Sequence, residues 1–177
     1  MRRLVHIIEK WSDYLARTSA VLLGLMTLLI LVEIFLWNAF EVSTLIADEY
    51  SAYGMAAIVF LAAGYTLKEN GHIRITLILN FLPSKVSRVV TALATSVTTI
   101  FMAYVFWYLY KMTASTLRYG STSGTLTETP LWIPQSVMLV GAASFLLQLF
   151  ATSIRCFWQV AGEETSHRRL PKDPGEV

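Results

Sequence analysis

"SAVLLGLMTLLILVEIFLW", Ser19–Trp37, is the stretch that decides the class of this chain. It carries one charged side chain, Glu33, in an otherwise apolar run. About 20 apolar residues cross a hydrocarbon core of roughly 30 Å as a helix. A buried helix of a soluble bundle would keep charges along one side, whereas this run is apolar all round. It is also too long for the core of a signal peptide, and no small-residue cleavage site follows it. Three further runs have the same character. The expected spans are about 18–40, 50–67, 89–110 and 131–154. The sequence therefore predicts an all-α integral membrane protein with four transmembrane helices.

Composition agrees. The chain has 177 residues, 55% of them hydrophobic and 15% charged, against about 25% charged in ordinary soluble domains. A single cysteine, Cys156, excludes an internal disulfide and any CxxC motif. No Lys/Arg-rich stripe suggests nucleic acid as a partner. The histidines, His6, His72 and His167, all lie outside the expected spans. A pair of axial haem ligands between helices is thus not expected, nor is a His/Asp/Glu metal cluster. No Ser, Thr or Tyr has a partner placed to activate it. No enzymatic activity, cofactor or metal is expected.

The basic residues set the orientation. Arg2, Arg3, Lys10 and Arg17 precede the first span, and Lys68, Arg74, Lys85 and Arg88 join the second to the third. Arg155, Arg168, Arg169 and Lys172 follow the fourth. Only Lys111 and Arg118 fall in the other connections, which hold Glu41, Asp48, Glu49 and Glu128. The positive-inside rule places both termini in the cytoplasm.

The flanks supply further expectations. Residues 1–17 have apolar positions at helical spacing (Leu4, Ile7, Ile8, Trp11, Tyr14, Leu15). They form either an amphipathic helix in the headgroup plane or a plain extension of the first span. Ser43 or Asp48 is expected to cap the second helix, and Ser84 the third. Residues 73–82 are too apolar for a solvated loop and too short to span, so a short interfacial helix is expected there, closed by Pro83. "YGSTSGTLTETP", Tyr119–Pro130, reads as a polar outer loop. Residues 1–160 make one membrane domain, and 161–177 a charged cytoplasmic tail.

Few residues could carry chemistry. Glu33 stands out, because a carboxylate at membrane depth is costly and by default a functional candidate. It either couples a proton or cation, or serves packing and a partner. Small residues mark helix contacts: Ala52, Ala56 and Ala63 share one face of the second span, broadened by Gly54, Ala57 and Gly64. Gly141 and Ser144 lie in a second small patch, with Gln148 a turn later. Thr91, Thr95 and Thr98 either bond across helices or back onto their own. Lys68, Arg74, Lys85 and Arg88 are placed to meet anionic lipid headgroups.

The order of these features resembles a known family. An acidic pair, Asp48-Glu49, opens a short Ala/Gly-rich span that ends "FLAAGYTLKENGHIRI". Ala63, Lys68, Gly71, His72, Ile73 and Ile75 match the pattern Ala-x-x-x-Lys/Arg-x-x-Gly-His-Ile-x-Ile, and Leu82-Pro83 and "TPLWIPQSVMLVGAASFLLQL" follow in order. The chain thus resembles, over residues 5 to 160, the small membrane subunit of tripartite ATP-independent periplasmic (TRAP) transporters. Thr76 departs from it, standing where the family often has an Asp. The resemblance implies a sodium-driven symporter for organic anions (dicarboxylate, keto acid or sialic acid class) in a bacterial inner membrane. It implies two protein partners, a large elevator-type transmembrane subunit and a periplasmic substrate-binding protein that docks on the outer loops. The small subunit would be a scaffold without a transport site. Two alternatives stay open: a self-sufficient four-span multidrug-type transporter using Glu33, and a structural subunit of another membrane complex.

Overall fold

Between Arg2 and Phe40 there is no proline and only one glycine, so nothing in the chain stops a helix. The computed structural model describes residues 2–69 and 83–167, and in it this whole stretch is one helix, α1 (Arg2–Phe40). Three more follow: α2 (Ala47–Lys68), α3 (Ser84–Tyr119) and α4 (Trp132–His167). Each contains a segment long and apolar enough to cross a membrane. Helices suit that setting, because lipid offers no partner for a free backbone N–H or C=O. The all-α, four-span reading is what the structure shows. The expected interfacial helix over 73–82 lies outside the described residues, as do Gly71, His72, Ile73, Arg74, Ile75 and Thr76.

Several boundaries differ from expectation. Of the two readings of the N-terminal flank, the plain extension of the first span is the one the helix follows: α1 runs without a break through Arg17, and Ser12 and Leu15 are buried against the bundle. The third helix continues beyond Tyr110, carrying Lys111 and Arg118 as helical residues rather than loop residues. It stops only at Gly120, which adopts φ 62°. Ser121 N–H then reaches back to Thr116 O at 3.2 Å, the closing bond of a Schellman turn. The fourth helix likewise enters the expected tail and ends at His167. Neither Ser43 nor Asp48 caps α2, whose cap position is Ile46 with no side-chain bond. At α3 the cap position falls to Pro83, and Ser84 is already the first helical residue.

The helices stand in a row, in the order α1, α2, α4, α3, with a lesser contact between α1 and α4. The inner pair is therefore α2 and α4. Over their most apolar segments α1 and α3 bury 6% of positions each, against 22% for α2 and 28% for α4. Small residues set the spacing, because they let backbones approach in lipid where no hydrophobic force holds helices together. Gly141 of α4 lies so close to α2 that a Cβ there would be 2.5 Å from the carbonyl carbon of Phe60. Gly54 of α2 lies under Met26 of α1. Hydroxyls add two cross-links: Ser19 Oγ donates to Ile58 O (3.3 Å), and Ser96 and Ser153 share a 3.3 Å bond between α3 and α4. Thr91, Thr95 and Thr98 bond back to their own helix at 2.7–2.8 Å.

Candidate functional site

The polar side chains gather at the two ends of the row. At the first end, α1 stops at Phe40 and the chain turns through Glu41 and Leu45, both at positive φ. Non-glycine residues adopt that region rarely, and something must hold them there. Glu33 does so. Its Oε1 accepts from Ser43 Oγ at 2.6 Å and from Thr44 N–H at 3.0 Å, and its Oε2 accepts from Thr44 Oγ1 at 2.5 Å. The residue that stood out as a functional candidate thus has both oxygens engaged in folding the α1–α2 connection. Beside it opens a cleft of about 380 Å³, lined by Glu33, Trp37, Asn38, Ser43, Leu45 and Asp48 among others. Asn38 spends its amide on Ile34 O at 2.8 Å.

The acidic pair that opens α2 divides its labour. Asp48 is exposed, while Glu49 is buried at 8% exposure. Glu49 lies in the first turn of α2, where a carboxylate also meets the favourable end of the helix dipole. Its Oε1 accepts from Tyr53 OH at 2.9 Å, and its Oε2 accepts from both Thr125 and Thr127. The α3–α4 loop is thereby folded over the start of α2. Ser123 Oγ accepts from Thr129 N–H at 3.0 Å, and Thr122 pairs with Pro130, closing the loop on itself. Glu49 was expected on an exposed outer loop available to a docking protein. The structure instead makes it the anchor of that loop, leaving Glu41, Asp48 and Glu128 as the exposed carboxylates. The signal was present in the sequence: Ser121, Ser123, Thr125, Thr127 and Thr129 alternate, which in an extended segment puts every hydroxyl on one side.

At the opposite end, Lys68 Nζ donates to Asp13 Oδ1 at 2.6 Å and lies 3.7 Å from Glu69. It also stands 5.5 Å from the ring centre of Tyr65. The cation expected among lipid headgroups here ties α1 to α2. Lys85 and Arg88 fall in the first turns of α3.

The packing residues are brought together in part. Gly64, Gly141 and Ser144 are buried at helix contacts. Ala56 and Ala63 are half-buried, and Ala52 is exposed. The buried face of α2 runs through Gly54, Ala57, Leu61 and Gly64, rotated from the Ala52–Ala56–Ala63 line read in the sequence. The reason is steric: the closest approaches need the residues without a Cβ. Among the described residues, no three His, Cys, Asp or Glu side chains converge as a metal site would require.

Comparison with known proteins places these features. A family model described as "Tripartite ATP-independent periplasmic transporters, DctQ component" matches residues 26–158. A Haemophilus influenzae protein named "Putative TRAP transporter small permease protein" is 32% identical over 83 residues. That match covers 47% of this chain and 50% of the relative, so it spans about half the length of each. No solved structure matches.

Proposed function

Because this chain belongs to the DctQ-component family of TRAP transporters, we propose that it is the stationary scaffold beside a large, elevator-type transport subunit. The carrying observation is the use made of its polar groups. Glu33, the one carboxylate deep in an apolar run, is engaged by Ser43 and Thr44. Glu49 is engaged by Tyr53 and two threonines, and Lys68 by Asp13. Each joins one part of this chain to another, which supports a framework role. In this reading the solute is an organic anion of the dicarboxylate, keto acid or sialic acid class, and sodium drives its entry. Both solute and ion are handled by the large subunit. Both termini lie on the cytoplasmic side of a bacterial inner membrane, in keeping with the charge asymmetry. The end that carries Glu41, Asp48 and Glu128 then faces the periplasm, where a binding protein with a basic rim would meet complementary charge. Lys85, Arg88 and Arg74 attract anionic headgroups at the other side.

Reconstitution tests the proposal. Liposomes holding this chain alone should take up no organic anion, with or without a sodium gradient. Adding the large subunit and the loaded binding protein should start uptake. Uptake by the isolated chain would show that it transports on its own.

The multidrug-type reading makes a different prediction for one residue. A carboxylate that exchanged protons with substrate would be indispensable, whereas a loop anchor tolerates an amide. Glu33→Gln in the assembled transporter should therefore leave the uptake rate unchanged at saturating solute. Abolished uptake with the complex still assembled would mark Glu33 as a coupling residue.

A further inference from the structure

Charge is distributed on α3 as on no other helix of the protein. Ser84–Tyr119 contains Lys85, Arg88, Lys111 and Arg118 and no Asp or Glu, whereas α1, α2 and α4 each mix the two signs. Lys85 and Arg88 belong to the end of the row where basic residues gather. Lys111 and Arg118 lie at the other end, the one that carries Glu41, Asp48 and Glu128. Neither is ion-paired: both salt bridges among the described residues are made by Lys68.

The setting of Lys111 is specific. Side chains on a helix point back toward its N-terminus, and Lys111 Nζ lies 5.4 Å from the ring centre of Trp107 and 5.9 Å from that of Tyr108. The faces of aromatic rings attract a cation and hold it at that height. Trp107 and Tyr108 are themselves 54% and 53% exposed, and Tyr104 stacks on Tyr108 with ring centres 4.6 Å apart. α3 packs chiefly against α4, and these rings stay uncovered. Depth follows from length. Counted from Val89, where the apolar segment of α3 begins, about 20 residues at 1.5 Å each cover a hydrocarbon core of roughly 30 Å and end near Tyr108. Trp107 and Tyr108 are thus at the interface, where such rings settle, and Lys111 is at the level of the phosphates.

An unpaired ammonium at that level attracts an anion, and the anion that a bilayer supplies there is the phosphodiester of a phospholipid. A zwitterionic headgroup would bring an ammonium of its own, for which α3 offers no carboxylate. A headgroup of net negative charge fits the surface better. We propose that the Trp107–Tyr108–Lys111 face of α3 binds an anionic phospholipid, its phosphodiester on Lys111 Nζ and the upper part of its chains against the two rings. The leaflet is the one at the Gly120 end of α3, the outer leaflet in the orientation proposed above. The headgroup contacts of Lys85 and Arg88 belong to the opposite leaflet, so this is a separate site.

Quenching of Trp107 tests the proposal. The full-length chain is placed in phosphatidylcholine nanodiscs that hold a minor fraction of phosphatidylglycerol brominated near the carbonyl end of its chains. The Trp107 signal is the difference between each protein and its Trp107→Phe counterpart. Both leaflets have the same composition, so the result depends neither on orientation nor on transport. Trp107 should be quenched as though the anionic lipid were enriched about fivefold beside it, the ratio one cation near the surface supports. Lys111→Gln should bring quenching down to the bulk fraction, and Lys111→Arg should keep it high. Arg118→Gln, which removes the same charge about 10 Å farther along the axis, should change nothing. Brominated phosphatidylcholine should show no enrichment. Enrichment that survives Lys111→Gln would reflect attraction to the whole basic helix and would overturn the proposal. Equal enrichment of the two lipids would overturn it too. Trp107 shielded from both lipids would mean that a second copy of the chain covers this face, and the assignment to lipid would fail.

Discussion

Gly141→Ala is expected to destabilise the purified chain by about 1–3 kcal/mol, and Gly141→Val by more, because both overfill a close contact lined by backbone. A Cβ at 141 would meet Phe60 C at 2.5 Å, Phe60 O at 2.6 Å and Leu61 N at 2.8 Å. All three are backbone atoms, so no side chain can swing aside to make room. α2 and α4 must separate, and the contacts on either side of the glycine loosen with them. Ala142 and Leu149 are 0% and 2% exposed, so both would lose neighbours. Gly24 provides the control. A Cβ there meets nothing within 4 Å, and Gly24→Ala should stabilise the helix by about 0.5–1 kcal/mol through its backbone entropy alone. Thermal melting in detergent should therefore move in opposite directions for the two glycine-to-alanine changes. A Gly141→Ala melt equal to that of the unaltered chain would show that α2 and α4 part without cost.

The second large effect is expected at Glu49. Glu49→Leu removes the acceptor of Tyr53, Thr125 and Thr127 at once. Leaving donors unpaired costs more than a hydrogen bond normally contributes, so the loop should lift from α2 and let water in. Amide hydrogen exchange in residues 121–131 should accelerate on the order of tenfold or more, while α2 and α4 keep their protection. Asp48→Leu, one position away and exposed, should leave that exchange as it is. Equal acceleration in the two variants would show that the loop responds to lost charge and not to the lost acceptor.

The helices were legible because crossing lipid demands a long apolar run, and each run was there to read. Which side of a run faces a neighbour was less so. In water an apolar face marks packing, but in lipid both the packed and the solvated face are apolar, and hydropathy cannot separate them. Small residues are the remaining sign, and they were half informative: Gly64, Gly141 and Ser144 lie at contacts, while Ala52 does not. Helix ends were misread for a simpler reason. Expected spans stopped where apolarity stopped, but a helix stops where the backbone is made to turn, as at Gly120. The two carboxylates illustrate a further limit. Glu33 and Glu49 looked like an intramembrane charge and a surface charge. Their acceptor roles depend on loops that return from ten to nearly eighty residues away, to Ser43 and Thr127.

The row order α1, α2, α4, α3 has one consequence for transport itself. A pathway through a membrane must be enclosed on every side, and four helices enclose one only if the last meets the first. Here α1 and α3 stand at opposite edges, α1 against α2 and slightly against α4, α3 against α4, and among the described residues most of the rest of their surface is uncovered. The four described helices form a row and not a closed ring. A polar route across the bilayer running along this row would need its far side closed by residues outside the row.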